Sequence, residues 1–434
     1  MERYESYKDS GIEWIGEIPE HWQVCRISCL FSEEKRINSN LDNYHALKFM
    51  DGTIVPKPEK WLKEDIEETY SKYRVVSPGT IMINNLNLNF DLKSKRVGIV
   101  LENGIITSAY LALVPDFNSV IPSFYNYVFK GWDSRKAFHG MGSGLRKTLN
   151  WEELSKHKVV HPLIKEQRVI AEYLDRKTFE IDSLVQKTEK FIALLQEYRK
   201  SVISEAVTKG LDLNVPMKDS GIEWIGEIPE GWSISSLKYL ASIKGGSTPS
   251  KSNPAFWGGE IPWVSSQEVK LSRLTDTSQH ITQEALDYCS NVVFPAETVV
   301  MVVRSGILKH TLPVSILDKP MTINQDIKAV QFFRDSQSAF FYYFVKGLNN
   351  ALLHELCKDG STVDNLDIDL LSRCPIIQPP IDEQTAIVDY LDQKTSEIDS
   401  LIEKKKQLVE KLQEYRKSLI SECVTGKVKV PGVE

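Results

Sequence analysis

Apolar side chains recur every seven residues at Leu174, Ile181, Thr188, Leu195 and Val202, with Leu184, Phe191 and Tyr198 three positions further on. That spacing predicts an a/d helical seam over residues 166–208. The same columns return at Leu391, Ile398, Lys405, Leu412 and Leu419, flanked by Leu401, Leu408 and Tyr415. Pro162 and Pro379-Pro380 precede the two patterns and Gly210 and Gly426 follow them, the punctuation of helix starts and stops. Two helices of ~60 Å are expected at ~1.5 Å rise per residue. Thr188 and Lys405 place a polar side chain mid-seam, either tolerated there or fixing register. Outside the helices the pattern changes. Short β-branched runs at 75–76, 80–84, 97–100 and 105–114 are parted by Pro78-Gly79 and Asn103-Gly104 turns. Their counterparts lie at 292–294, 298–303, 314–317 and 322–330, and a helical apolar pattern follows each set, at 124–129 and 340–345.

The chain repeats itself. Residues 8–22 and 218–232 are identical at 14 of 15 positions, and 166–208 matches 383–425 at 26 of 43 without a gap. LQEYRKS closes both long copies. At the same offset of 217, Val75/Val292, Pro78/Pro295, Ile99/Ile316, Phe124/Phe341, Tyr125/Tyr342 and Val128/Val345 line up inside the intervening blocks. A tandem duplication accounts for this, with a shared core and diverged surfaces. The expected organisation is a shared segment 1–22, a globule 23–161, a helix 162–208, a linker with the repeated segment 209–232, a globule 233–378, a helix 379–425 and a tail 426–434. A globule of that size cannot bridge ~60 Å, so the second one forces the helices to run antiparallel. The fold class is α+β: two globular α/β domains separated by a long antiparallel two-helix coiled coil.

Composition narrows the class. The 434 residues are 41% apolar and 26% charged, ordinary for globular domains, and the net charge is −6. Acidity sits outside the globules: 23–161 holds 19 Lys and Arg against 15 Asp and Glu, and 233–378 is nearly balanced. Six irregularly spaced cysteines fit reduced thiols, and Glu2, Glu5, Asp9 and Glu13 leave no room for a signal-peptide core, so a cytoplasmic protein without a membrane segment is expected. Catalytic constellations are missing. Gly245-Gly246-Ser247-Thr248 lacks the lysine of a phosphate loop, and no HExxH or GxSxG occurs. Gln378-Pro379-Pro380-Ile381 lacks the head group and the aromatic of an amino-methyltransferase motif. His21, Cys25 and Cys29 have helical spacing but no fourth ligand, so no metal site is assigned.

The order globule, helix, globule, helix, opened in each half by DSGIEWIGEIPE, resembles the specificity subunit of type I restriction-modification systems. The resemblance covers essentially the whole chain. It rests on 8–22, 218–232, Glu166-Gln167, Glu383-Gln384, both LQEYRKS segments, 245–265, 322–330 and 140–154. It implies a non-catalytic reader of double-stranded DNA whose two target-recognition domains each bind one half of a split, asymmetric site. The helices would set the spacing and dock two methyltransferase subunits, and ATP-dependent restriction subunits would complete the complex. No cofactor is expected on this chain; the assembly would use S-adenosylmethionine, ATP and Mg2+. A coiled-coil adaptor with two protein-binding heads is the competing reading.

Base readout is expected where the copies differ most, in the loop after the second strand of each head. Residues 84–96 read NNLNLNFDLKSKR and 301–313 read MVVRSGILKHTLP. Asparagine pairs bidentately with adenine and arginine with guanine, which makes Asn87 and Arg304 the leading candidates. Lys93, Lys95, Arg96 and Lys309 are assigned to phosphates, with Lys251 and Gln325 as further candidates inside the family-like segments. The near-identical repeated segments are expected to be structural, with Trp14, Trp22, Trp224 and Trp232 as buried anchors.

Overall fold

The computed structural model describes residues 2–433 apart from 59–65, 92, 94, 143–146, 213, 335–336 and 358–364. Part of the glycine-rich stretch 140–154, including Arg146, thus lies outside the described residues. The chain divides into two units whose boundaries cut both long helices. One unit holds Met1–Glu189 with Gln407–Glu434; the other holds Lys190–Lys406.

The first unit opens with a hairpin pairing Tyr7–Asp9 with Glu17–Pro19. Its central sheet is antiparallel, in the order Phe31–Glu33, Leu111–Pro115, Ile81–Ile83, Val97–Ile99. The helix Pro122–Ser134 buries Phe124, Tyr125, Phe129 and Trp132 in the same core. The second unit repeats the hairpin with Met217–Asp219 and Glu227–Pro229. It also repeats the sheet order, with Ala241–Gly245, Ile327–Phe332, Val299–Val302 and Val314–Leu317. Arg273–Leu274 adds a fifth, parallel edge strand that the other copy's sheet lacks among the described residues. The two copies therefore share a sheet order and a buried head helix, whereas among the aligned residues Val292, Pro78 and Pro295 are exposed and lie outside the core.

In the head helix the offset slips by one residue. The structural equivalents are Tyr127/Tyr343, Lys130/Lys346 and Gly131/Gly347, not Tyr125/Tyr342 and its companions. Tyr127 Oη donates to Asp175 Oδ1 at 2.8 Å, and Tyr343 Oη donates to Asp392 Oδ1 at 2.5 Å. The two aspartates hold the same place in the two helix copies. A Cβ on Gly347 would lie 3.0 Å from the Ser204 Cα, so glycine lets the head helix approach the long helix this closely.

The long helices span Ile164–Lys209 and Ile381–Val424. In the first unit Asp182 accepts from Arg416 Nη2 at 3.1 Å; in the second Asp399 accepts from Arg199 Nε and Nη2 at 2.9 and 3.0 Å. Each arginine of one copy thus meets the equivalent aspartate of the other, as an antiparallel pair requires. The seam differs from the expected a/d pattern. The a column is buried at Leu174, Ile181, Thr188, Leu195, Val202, Leu391, Ile398 and Leu419, but its partner column lies four residues on, at Val185, Ile192 and Ile402. Leu184, Phe191, Tyr198, Leu401 and Tyr415 are exposed. Thr188 Oγ1 donates to the Leu184 carbonyl at 2.7 Å, so its polar atom is satisfied within its own helix. Lys405 lies 5.6 Å from the Phe191 ring centroid, a cation–π contact at the edge of the seam.

The shared signature residues build the joints. Trp22 and Trp232 are buried, and Trp14 and Trp224 are half-buried against Trp132 and Phe344. Gln167 is fully buried, accepting from Ile121 N and donating to the Ser119 and Pro162 carbonyls. Cys25 lies on the strand Gln23–Arg26 and Cys29 ends a 3-10 turn, so the spacing of His21, Cys25 and Cys29 is not helical. Among the described residues no helix is long and apolar enough to cross a membrane.

Candidate nucleic-acid interface

Three segments meet at one end of the sheet in each head. In the first head, the loop leaving Ile81–Ile83 is tied to the segment before the short helix Trp151–Leu154: Leu149 N donates to the Asn85 carbonyl at 3.1 Å, and Asn85 Nδ2 donates to the Leu149 carbonyl at 2.7 Å. The third segment is the turn before Leu111–Pro115. With Asn85, Arg74, Asn150 and Trp151, residues Ser108 and Tyr110 line an open polar cavity of about 400 Å³. In the second head, Leu366 N donates to the Val303 carbonyl and Val303 N to the Asp326 carbonyl, both at 2.9 Å. Equivalent elements therefore present equivalent loops.

Asn87 and Arg304 are both exposed on these loops. Asn87 has a left-handed backbone (φ 52°), which asparagine tolerates better than most residues, and its carbonyl accepts from Phe90 N and Asp91 N. Lys93 and Lys309 are exposed, and Lys95 pairs with Asp51 at 3.0 Å on the surface. Lys251 is exposed, and Gln325 is exposed and hydrogen-bonded to Thr248 Oγ1. Through the Val303–Asp326 bond, Arg304 and the Gln325 turn adjoin, and Thr248 brings the 248–251 turn to the same place.

Arg96 does not fit its expected phosphate role. It is fully buried, and its guanidinium donates to the carbonyls of Asn84, Leu86 and Asp91 at 3.0, 2.8 and 2.6 Å. Its amide donates to Asp133 Oδ2 at 2.8 Å, and burial raises the pKa of that carboxyl. An arginine turned inward onto loop carbonyls cannot reach a backbone phosphate. The sequence shows a basic residue at the end of a basic loop and gives no sign of its burial.

Sequence reasoning also missed Phe90, 76% exposed on the same loop, and Asn349, whose Oδ1 accepts from Leu312 N and whose Nδ2 donates to the Leu312 carbonyl, both at 3.0 Å. A phenylalanine inside a run of polar residues was the available signal for the first. Asn349 lies far from its loop in sequence and gave none.

Residues 229–411 match the family model described as type I restriction modification DNA specificity domain. The chain is 30% identical over 245 residues to the type I restriction enzyme EcoR124I/EcoR124II specificity subunit of Escherichia coli, spanning 55% of this chain but only 58% of that relative. It is 23% identical to the MjaVIII specificity subunit of Methanocaldococcus jannaschii, over 95% of this chain and 94% of that one. Its fold is similar to a chain solved in work on the complex assembly and conformational transition of the type I R-M system, with a TM-score of 0.68 at 17% identity, covering 95% of this chain and 99% of that one. Residues 229–411 thus match a type I restriction modification DNA specificity domain, and the chain resembles, over nearly its whole length, the specificity subunits of type I restriction enzymes.

Proposed function

We propose that this chain is the DNA sequence-specificity subunit of a type I restriction-modification complex and is itself non-catalytic. Each head reads one half of a bipartite, asymmetric target in double-stranded DNA, and the paired helices set the gap. One observation carries this reading: two heads with the same strand order present different side chains on the same three adjoining segments, Asn87 in one and Arg304 in the other. A duplicated scaffold with diverged edges suits two different half-sites and has no use for two copies of one catalytic centre.

The remaining chemistry belongs to partners. Methyltransferase subunits bring S-adenosylmethionine, and restriction subunits bring ATP and Mg2+. The apolar column that the seam leaves exposed gives the methyltransferases a place to dock: Leu184 and Tyr415 in the first unit, Phe191, Tyr198 and Leu401 in the second. Such columns on a long helix suit a partner helix laid alongside. Fewer phosphate contacts on this chain fit its net charge of −6, since partners share the neutralisation.

The test is methylation mapping of genomic DNA with the methyltransferase subunits co-expressed with this chain. One two-part adenine motif that disappears without the chain is expected. Arg304→Ala should relax the second half-site and leave the first intact, a loss of roughly 1–3 kcal/mol of discrimination. Methylation independent of this chain would overturn the reading.

A further inference from the structure

The described residues of the loop 84–96 are folded around a buried cation. Arg96 is 0% exposed, and its planar guanidinium reaches the carbonyls of Asn84, Leu86 and Asp91, with the Asn87 carbonyl at 3.5 Å. Two carboxylates lie near it: Asp91, partly exposed, stands 3.8 Å from the guanidinium, and buried Asp133 accepts from the Arg96 backbone amide at 2.8 Å. Taking a guanidinium out of water mainly for neutral carbonyls is costly, and the return is a fixed loop shape. The second head shows the cheaper alternative. Position 313, aligned with Arg96, is proline there, and neutral Asn349 fastens the loop through the Leu312 backbone.

Among the described residues of the first loop, Asn87, Phe90 and Lys93 are turned outward. Asn87 is exposed in a left-handed turn that the Arg96 contacts on either side hold in place. Phe90 N donates to the Asn87 carbonyl at 3.2 Å, which fixes the backbone beneath a 76%-exposed ring. Apolar wedges of this kind insert at base steps, and asparagine amides read adenine edges. A loop ordered before binding loses less entropy when it docks and holds its reading groups to one geometry.

We propose that Arg96 is a positioning residue for the first half-site: without touching DNA, it shapes loop 84–96 so that Asn87 reads a base edge and Phe90 stacks on or wedges between bases. This rests on the DNA-reading function proposed above. Head one then owes its specificity to an internal cation, and head two to a neutral clamp.

The experiment compares Arg96→Lys, Arg96→Met, Asn87→Ala and Phe90→Ala with the unsubstituted chain, each co-expressed with the methyltransferase subunits, by methylation mapping and by DNA binding of the purified complex. An ammonium cannot serve the carbonyls that the planar fork spans, so Arg96→Lys should behave like Arg96→Met. Both should make the first half of the motif degenerate while the second half stays intact. Phe90→Ala should weaken cognate binding roughly tenfold or more, and Asn87→Ala should relax a single position of the first half-site. An unchanged motif in folded Arg96→Met overturns the proposal, as does equal loss at both halves. If Arg96→Met does not fold, unchanged motif and affinity in both Asn87→Ala and Phe90→Ala overturn it instead. No motif even with the unsubstituted chain would sink the DNA-reading function itself, which separates the two failures.

Discussion

One residue separates the two copies of the repeated segment, His21 against Gly231, and it changes the joint beneath it. His21 Nε2 lies 2.9 Å from Glu166 Oε2, and Trp22 Nε1 has no hydrogen-bond partner among the described residues. Where glycine stands instead, Trp232 Nε1 donates to Glu383 Oε2 at 2.9 Å. The glutamate is thus served in both copies, by different donors. The sequence marked these segments as structural because near-identical readers could not serve different targets. It could not show which donor each glutamate takes, since that depends on a ring packed from elsewhere. Lys346 was invisible for a related reason. Burial, then repulsion from Arg199, lowers its pKa from 10.5 to about 8, and it sits over the Tyr342 ring. Between pH 8 and 10.5 the unfolded chain therefore binds more protons than the native one, and stability rises with pH. Below pH 8 both states hold the proton and the full cost is present; above 10.5 it is gone. Lys346→Met should accordingly stabilise the protein at pH 7 by on the order of 1–3 kcal/mol. Urea unfolding at pH 7, 9 and 10.5 should show that advantage shrinking at each step. A constant advantage would mean that packing, not the charge, is responsible.

Elements were legible where periodicity decides and illegible where two columns compete. Both long helices and the shared strands follow from repeats in the apolar pattern, while the order of the strands in each sheet comes from the structure. The seam does not follow from that pattern, because the positions three and four after each a residue are both apolar: Leu184 beside Val185, Phe191 beside Ile192, Leu401 beside Ile402. The charged residues break the tie. Arg199 and Arg416 occupy the four-residue column and pair with Asp399 and Asp182, so that column faces the partner helix. The one-residue slip in the head helices arises likewise: runs of consecutive aromatics align equally well at two offsets, and only the Tyr127 and Tyr343 hydroxyl bonds choose between them. Adjacent leucines give a direct check of the seam. Leu195 is 9% exposed and packs with Ile398 and Ile402, whereas Leu194 is 58% exposed. Leu195→Ala should cost about 2 kcal/mol or more, and Leu194→Ala no more than about 0.5 kcal/mol. Equal denaturation midpoints for the two variants would mean that the a column does not bury Leu195 against the partner helix.

The duplication also governs how each unit is assembled from both halves of the chain. In the second unit the first long helix ends at Gly210, where a Cβ would lie 3.2 Å from the Trp232 ring. In the first unit the second long helix ends at Gly426, where a Cβ would fall 2.3 Å from Pro19 and 3.1 Å from the Trp22 ring. Each head is therefore seated on the end of the helix that belongs to the other copy, and Glu2 pairs with Lys429 where the chain begins and ends. This arrangement bears on how the proposed spacing function is to be tested. Residues added after Thr208 would fall in the terminal turn that packs against Trp232, and would disturb the joint rather than lengthen the seam. Seven residues added after Glu189 together with seven after Lys406 keep the a column in phase on both helices. They lengthen each helix by ~10 Å at ~1.5 Å per residue. The methylated motif should keep both half-sites and widen only its gap. A single heptad in one helix leaves the other short, unpairs Asp182 from Arg416 or Arg199 from Asp399, and should lose methylation altogether. If the double insertion leaves the gap unchanged, the helices hold partners without measuring DNA, and the spacing is set within the methyltransferase subunits.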